Sequence, residues 1–103
     1  GCHLDLVGGF KPDMREASDE LMQNSCVFVD TFRGAMAEAG DIVQPLQRGL
    51  FDEAHVLAEL ADLCSGRHSG RQRASDITLF KSVGTAIEDL VAAELVWQAR
   101  PAA

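Results

Sequence analysis

The stretch Ile77 to Ala93, ITLFKSVGTAIEDLVAA, constrains this chain most, because it must change structure within a few residues. Ile77-Thr78-Leu79-Phe80 is a short β-branched and aromatic run behind the polar Ala74-Ser75-Asp76, the composition of a strand. Beyond Lys81-Ser82-Val83-Gly84, apolar residues recur at three- and four-residue spacings: Val83, Ala86, Ile87, Leu90, Val91 and Trp97, with Glu88 and Asp89 pointing elsewhere. That period predicts a helix. Ser82 is the predicted N-cap, its hydroxyl placed to accept from a free amide of the first turn. A strand that breaks directly into a helix start leaves amides and a positive dipole end facing outward, a setting for an anionic or polar ligand. An ordinary β-α unit with a capping serine gives the same pattern, so the pattern alone assigns no ligand.

Upstream, His3-Leu4-Asp5-Leu6-Val7 alternates and then runs apolar until Gly8-Gly9, a strand followed by a loop. A chain that opens on a core strand leads us to expect further polypeptide before it. Pro12 keeps the next residues out of a helix until Ser18, which caps a short helix carrying Asp19 and Glu20 in its first turn and burying Leu21 and Met22. Cys26-Val27-Phe28-Val29 is a continuous apolar run ending at Asp30, as in a strand covered on both faces. Thr31 caps a weak helix through Ala39, interrupted by Gly34 and stopped by Gly40. Ile42 to Gly49 reads as irregular around Pro45. Asp52 to Cys64 reads as an amphipathic helix with Leu57, Leu60, Ala61 and Cys64 inward and Gly66 as its terminator. Arg67 to Ser75 is a basic loop, and Arg100 to Ala103 should fray.

Three strands separated by helical segments imply an α/β unit with a small, mostly parallel sheet and right-handed crossovers. Its edges ask for cover. Ligands of parallel sheets lie beyond the carboxyl ends of the strands. The loops Val7-Gly8-Gly9-Phe10 and Lys81-Ser82-Val83-Gly84 should therefore share one rim. Glycines there let backbone approach a ligand closely, although they also simply make turns.

The run ITLFKSVGTAIEDLVAA, the opening HLDLVGGFKPDMRE and the strand CVFVDT are similar, in that order, to segments of the ornithine cyclodeaminase/μ-crystallin family. The resemblance reaches from the start of the chain to about Val96. It implies a partial Rossmann-like unit: a single domain over residues 1–103 resembling the C-terminal half of a dinucleotide-binding domain, plus the helix that returns to the dimerisation domain. In the family the two rim loops border the nicotinamide end of NAD(P) and the substrate, so Val7, Gly8, Gly9, Phe10, Lys81, Ser82, Val83 and Gly84 are the candidate cofactor-binding residues. The Gly-rich fingerprint G-x-G-x-x-G lies in the preceding half of family members, and this sequence contains none. The pyrophosphate cradle is thus missing from it. Cyclodeaminases carry a proton-transferring aspartate directly after the Gly-Gly and tend to be acidic where Lys81 stands; here the first position is Phe10, which exchanges no proton. Pro12-Asp13-Met14-Arg15-Glu16 and Lys81 resemble the μ-crystallin and imine-reductase branch, which reduces cyclic imino acids or handles amino acids with a nicotinamide cofactor.

Net charge is −7, which argues against nucleic-acid and anionic-membrane partners. No apolar run approaches bilayer length and no secretory leader is recognisable, so a cytoplasmic location is expected. Cys2, Cys26 and Cys64 are odd in number and unpatterned, consistent with reduced thiols. Cys64 with His68, even joined by Cys2-His3, makes no four-ligand metal set, and His55 with Glu59 reads as an exposed helix pair. Arg67, Arg71 and Arg73 read as a solvated loop, and Asp30 as a turn-forming or capping carboxylate. No catalytic residue and no metal site is assigned. The expectation is a truncated module of this family that binds no cofactor by itself, does not turn over alone and self-associates. The alternative is part of an NAD(P)-dependent imino-acid reductase, amino-acid dehydrogenase or cyclodeaminase, its site completed by a missing N-terminal half, a partner chain or a swapped dimer around a small imino or amino acid.

Overall fold

Four short strands, all parallel, form one sheet in the order β1-β4-β2-β3. They are β1 (His3–Leu6), β2 (Cys26–Val29), β3 (Val56–Glu59) and β4 (Thr78–Lys81). The computed structural model describes residues 1–102. The apolar run of β2 lies in the interior of the sheet with Val27, Phe28 and Val29 all buried, as a strand covered on both faces requires. Register sets Leu6 beside Lys81 and Lys81 beside Val29, and Val29 in turn beside Glu59. All four strands therefore end at one rim.

The described residues also form five α-helices: α1 (Asp19–Asn24), α2 (Phe32–Glu38), α3 (Gly40–Gln47), α4 (Leu60–Ser65) and α5 (Ala86–Ala99). Met22 of α1, Ala35 of α2 and Ile42 of α3 pack with Val27, Val29, Val56 and Leu79 in one buried cluster on one face. The opposite face carries Phe28, which meets the ring of His68 edge-on with centroids 5.2 Å apart. Ser18 and Thr31 cap α1 and α2 through their hydroxyls, as their positions predict.

Several expectations are corrected. The sheet has four strands rather than three, because the segment read as one helix from Asp52 to Cys64 divides. It makes a 3-10 turn at Glu53–His55, then β3, then the short α4. Pairing with β2 buries Val56 and Ala58 in strand alternation, leaving Leu57, Leu60, Ala61 and Cys64 exposed instead of inward. The neighbouring strand overrides a helical spacing of apolar residues. Only the end of that reading stands, with Gly66 at φ +78° terminating α4.

Residues 42–49 are mostly helical despite Pro45. Pro45 forfeits one amide bond, yet α3 buries Ile42, Val43 and Pro45 itself, and its hydrogen bonding resumes from Arg48 to Gln44. Gly40 opens α3 instead of stopping α2, for want of space: a Cβ there would collide with the carbonyl oxygen of Met14 and stand 2.8 Å from that of Pro12.

The cap of α5 is Thr85, not Ser82. Ser82 still belongs to the sheet's rim, its amide donating to Leu6 O at 3.0 Å. Gly84 turns the chain at φ +89°. Thr85 and Glu88 then satisfy each other's amides in a capping box. Val83 accordingly precedes the helix and packs against the core cluster. Ile87, Leu90, Leu95, Val96 and Trp97 of α5 are 61–73% exposed.

Candidate functional site

The rim at the carboxyl ends of the strands is built by three carboxylates, each holding main-chain amides. Asp30, at the end of β2, is 4% exposed. Its Oδ1 accepts from Thr31 N at 2.9 Å, and its Oδ2 accepts from Val83 N at 2.9 Å and Gly84 N at 2.8 Å. The loop after β4 is thereby tied to the end of the neighbouring strand. Glu16 Oε1 accepts from Gly8 N at 2.6 Å and Gly9 N at 3.0 Å. Asp41, fully buried in the first turn of α3, accepts through Oδ1 from Glu16 N at 2.9 Å and Ala17 N at 2.8 Å. The segment from Gly8 to Ala17 is thus gripped at both ends.

Lys81 lies between the last two carboxylates. Strand alternation sends it to the helix-covered face with Leu79, and its side chain is fully buried. Nζ stands 3.1 Å from Glu16 Oε1 and 3.7 Å from Asp41 Oδ2. The longer contact is an ion pair beyond hydrogen-bond reach, and Asp41 Oδ2 has no hydrogen-bond partner. The amide of Gly9, then the Lys81 ammonium and the amide of Gly8, hold the Glu16 carboxyl below the usual glutamate range, against the opposing effect of its desolvation.

The eight residues selected from sequence are distributed as follows. The loops 7–10 and 81–84 adjoin through the bond from Ser82 to Leu6 and through Gly9 beside Lys81. Val7 and Phe10 are 64% and 50% exposed and present apolar surface at the rim. The amides of Gly8, Gly9, Val83 and Gly84 all donate to internal carboxylates. Lys81 points inward, so its ammonium does not face the rim's exterior. Glu16 and Asp41 were not among the selected residues. The Gly-Gly pair was their signal, since a Cβ on Gly8 would lie 2.8 Å from Glu16 Oε2, and one on Gly9 would lie 3.0 Å from Asp41 Oδ2.

The remaining constellations do not converge. His55 stacks on Phe51 at 4.4 Å and its Nε2 bonds Met22 O, whereas Glu59 accepts from Phe32 N. They share no helix face. His3 bonds Thr78 Oγ1, and Cys64 is exposed. Arg67 pairs with Asp62 at 2.8 Å, while Arg71 braces the start of β4 by donating to Thr78 Oγ1 and to the carbonyl oxygens of Cys2 and Asp76. Among the described residues no group of three His, Cys, Asp or Glu side chains could hold a metal ion, and no helix is long and apolar enough to cross a membrane.

The model of the ornithine cyclodeaminase/mu-crystallin family matches residues 1–101. The chain belongs to that family. An uncharacterized protein of Schizosaccharomyces pombe is 53% identical over 102 residues, covering 95% of this chain and 31% of the relative. The Delta(1)-pyrroline-2-carboxylate reductase of Colwellia psychrerythraea is 43% identical over 96 residues, covering 93% of this chain and 30% of that protein. In three dimensions the chain is similar to the Thermococcus litoralis Delta(1)-pyrroline-2-carboxylate reductase solved with NADH and L-proline. The TM-score is 0.89 at 43% identity, over 93% of this chain and 30% of that one. The chain therefore spans about 30% of the length of the relatives it matches. As a member of the family it has a Rossmann-like parallel α/β fold.

Proposed function

We propose that these residues form the nicotinamide- and substrate-facing wall of an NAD(P)H-dependent reductase of cyclic imino acids, and that they do not turn over alone. One observation carries the reading. The two Gly-containing loops lie side by side at the carboxyl rim, fixed from within by Glu16 and Asp30, with Val7 and Phe10 facing outward. Such a surface suits a flat ring more than a phosphate, because the loop amides that would hold a phosphate are already occupied. The sequence lacks G-x-G-x-x-G and carries a net charge of −7, so pyrophosphate must be held by other polypeptide. When bound, the reduced nicotinamide supplies a hydride. This chain's contribution is to shape the wall and exclude water.

Relatives named as reductases support reduction. Phe10, unable to exchange protons, supports it over cyclodeamination. The exposed apolar sides of α5 and the free edge of β1 are the surfaces that further polypeptide, or a second copy of this chain, would cover.

The test is a chimera in which this chain replaces the matching segment of the Colwellia psychrerythraea reductase. It is expected to oxidise NADH or NADPH when Delta(1)-pyrroline-2-carboxylate is added. The 103-residue chain alone is expected to show no saturable binding of either cofactor by nicotinamide fluorescence. A folded chimera that binds cofactor and reduces nothing overturns the first half; tight binding by the isolated chain overturns the second.

A further inference from the structure

We infer that Lys81 is a positioning residue, whose buried ammonium fixes the Gly8-Gly9 loop by joining Glu16 to Asp41. The inference rests on the reading above only in treating that loop as functional. A buried ammonium is costly unless it is paired, and Lys81 Nζ lies 3.1 Å from Glu16 Oε1 and 3.7 Å from Asp41 Oδ2. Each carboxylate spends its other contacts on main chain, so four amides, those of Gly8, Gly9, Glu16 and Ala17, depend on two anions that share one cation.

The glycines belong to the same device. Oxygens of Glu16 and Asp41 approach the backbone so closely that a side chain at either position would meet them at 2.8–3.0 Å. Gly9 is also 3.3 Å, by the same measure, from Lys81 Nζ. Removing the cation leaves Glu16 and Asp41 as like charges with no compensation, in surroundings of low dielectric. Glu16, whose side chain is 34% exposed, has water within reach and Asp41 has none. Glu16 is therefore the group that leaves, and the loop goes with it.

The measurement of this device needs neither cofactor nor turnover. It can therefore fail independently of the reductase reading. Amide proton shifts and hydrogen exchange are followed by NMR in the 103-residue chain and in Lys81→Met. Gly8 and Gly9 are expected to exchange about tenfold faster, the response to losing a charge-assisted bond. Val83 and Gly84, held by Asp30, act as the internal reference and are expected to keep their protection. Unchanged Gly8 and Gly9, or an equal loss at all four amides, overturns the inference. Should Lys81→Met fail to fold, Lys81→Gln is read in the same way, with selective loss expected at Gly8 and Gly9 and the same two results overturning it.

Discussion

Asp30 has no water to turn to, being 4% exposed, and both of its oxygens accept from amides. Two of those amides belong to the loop after β4, 53 and 54 residues away in sequence. Asp30→Asn keeps the shape but can turn an NH2 donor toward amide donors and removes the charge that strengthens the bonds. The variant is expected to lose about 2 kcal/mol of stability, read as a lower urea midpoint with an unchanged denaturant slope. An unshifted midpoint would mean that loop 82–84 is held by something else. The carboxylate at the end of an apolar run was visible in the sequence as a capping or turn-forming group. Its distant partners were not, since a hydrogen bond across the sheet leaves no local pattern. Glu16 and Asp41 left only an indirect trace, the Gly-Gly pair that their oxygens crowd.

Among the elements, α5 differs most from the rest. At 100° per residue, Leu90 and Trp97 line one side with Ala86 and Ala93, while Val91 and Leu95 line the other with Ala92 and Ala99. A helix apolar on opposed sides is normally enclosed, but these side chains are largely exposed. The isolated chain is accordingly expected to associate at micromolar concentration, giving a mass above its 11.1 kDa in light scattering. Leu90→Glu combined with Leu95→Glu should return it to a monomer with unchanged circular dichroism. A monomeric parent at tens of micromolar, a range set by the affinity scale, would sink this expectation. The periodicity of α5 was legible in the sequence, but the cap was assigned to Ser82, and the box Thr85-Ala86-Ile87-Glu88 is found only in the structure. β3 was obscured because Leu57, Leu60, Ala61 and Cys64 happen to fall at helical intervals; pairing with β2 decides that segment, and pairing is not local.

For the whole molecule, acid is the informative perturbation. Carboxyls below their ordinary range include Glu16, through the Gly9 amide; Asp19, through Arg48 and then Arg15; and Asp62, through Arg67. A carboxyl lowered on folding contributes stability that is present above its unfolded value, about 4, and lost as pH falls through the folded one. The charge of −7 acts the other way at first, since mild acid relieves self-repulsion. The urea midpoint is therefore expected to hold or rise slightly from pH 7 to about 5 and to fall below about pH 4. A midpoint as high at pH 3 as at pH 7 would show that the contacts of Glu16, Asp19 and Asp62 contribute nothing.

The register of the sheet also governs time. Among the described residues β1 pairs with β4, and His3 bonds a residue 75 positions later. During synthesis at about 5–20 residues per second, β1 waits roughly 4–15 s for β4 to be made. Contacts so distant in sequence are also the slow ones to close. Gly8 and Gly9 are anchored through Glu16 to Lys81 at the end of β4, so the rim takes shape only once the segments that carry β1 and β4 have met. A nascent chain halted before Thr78 would lack β4, and with it the Lys81 end of the anchor that holds Gly8 and Gly9.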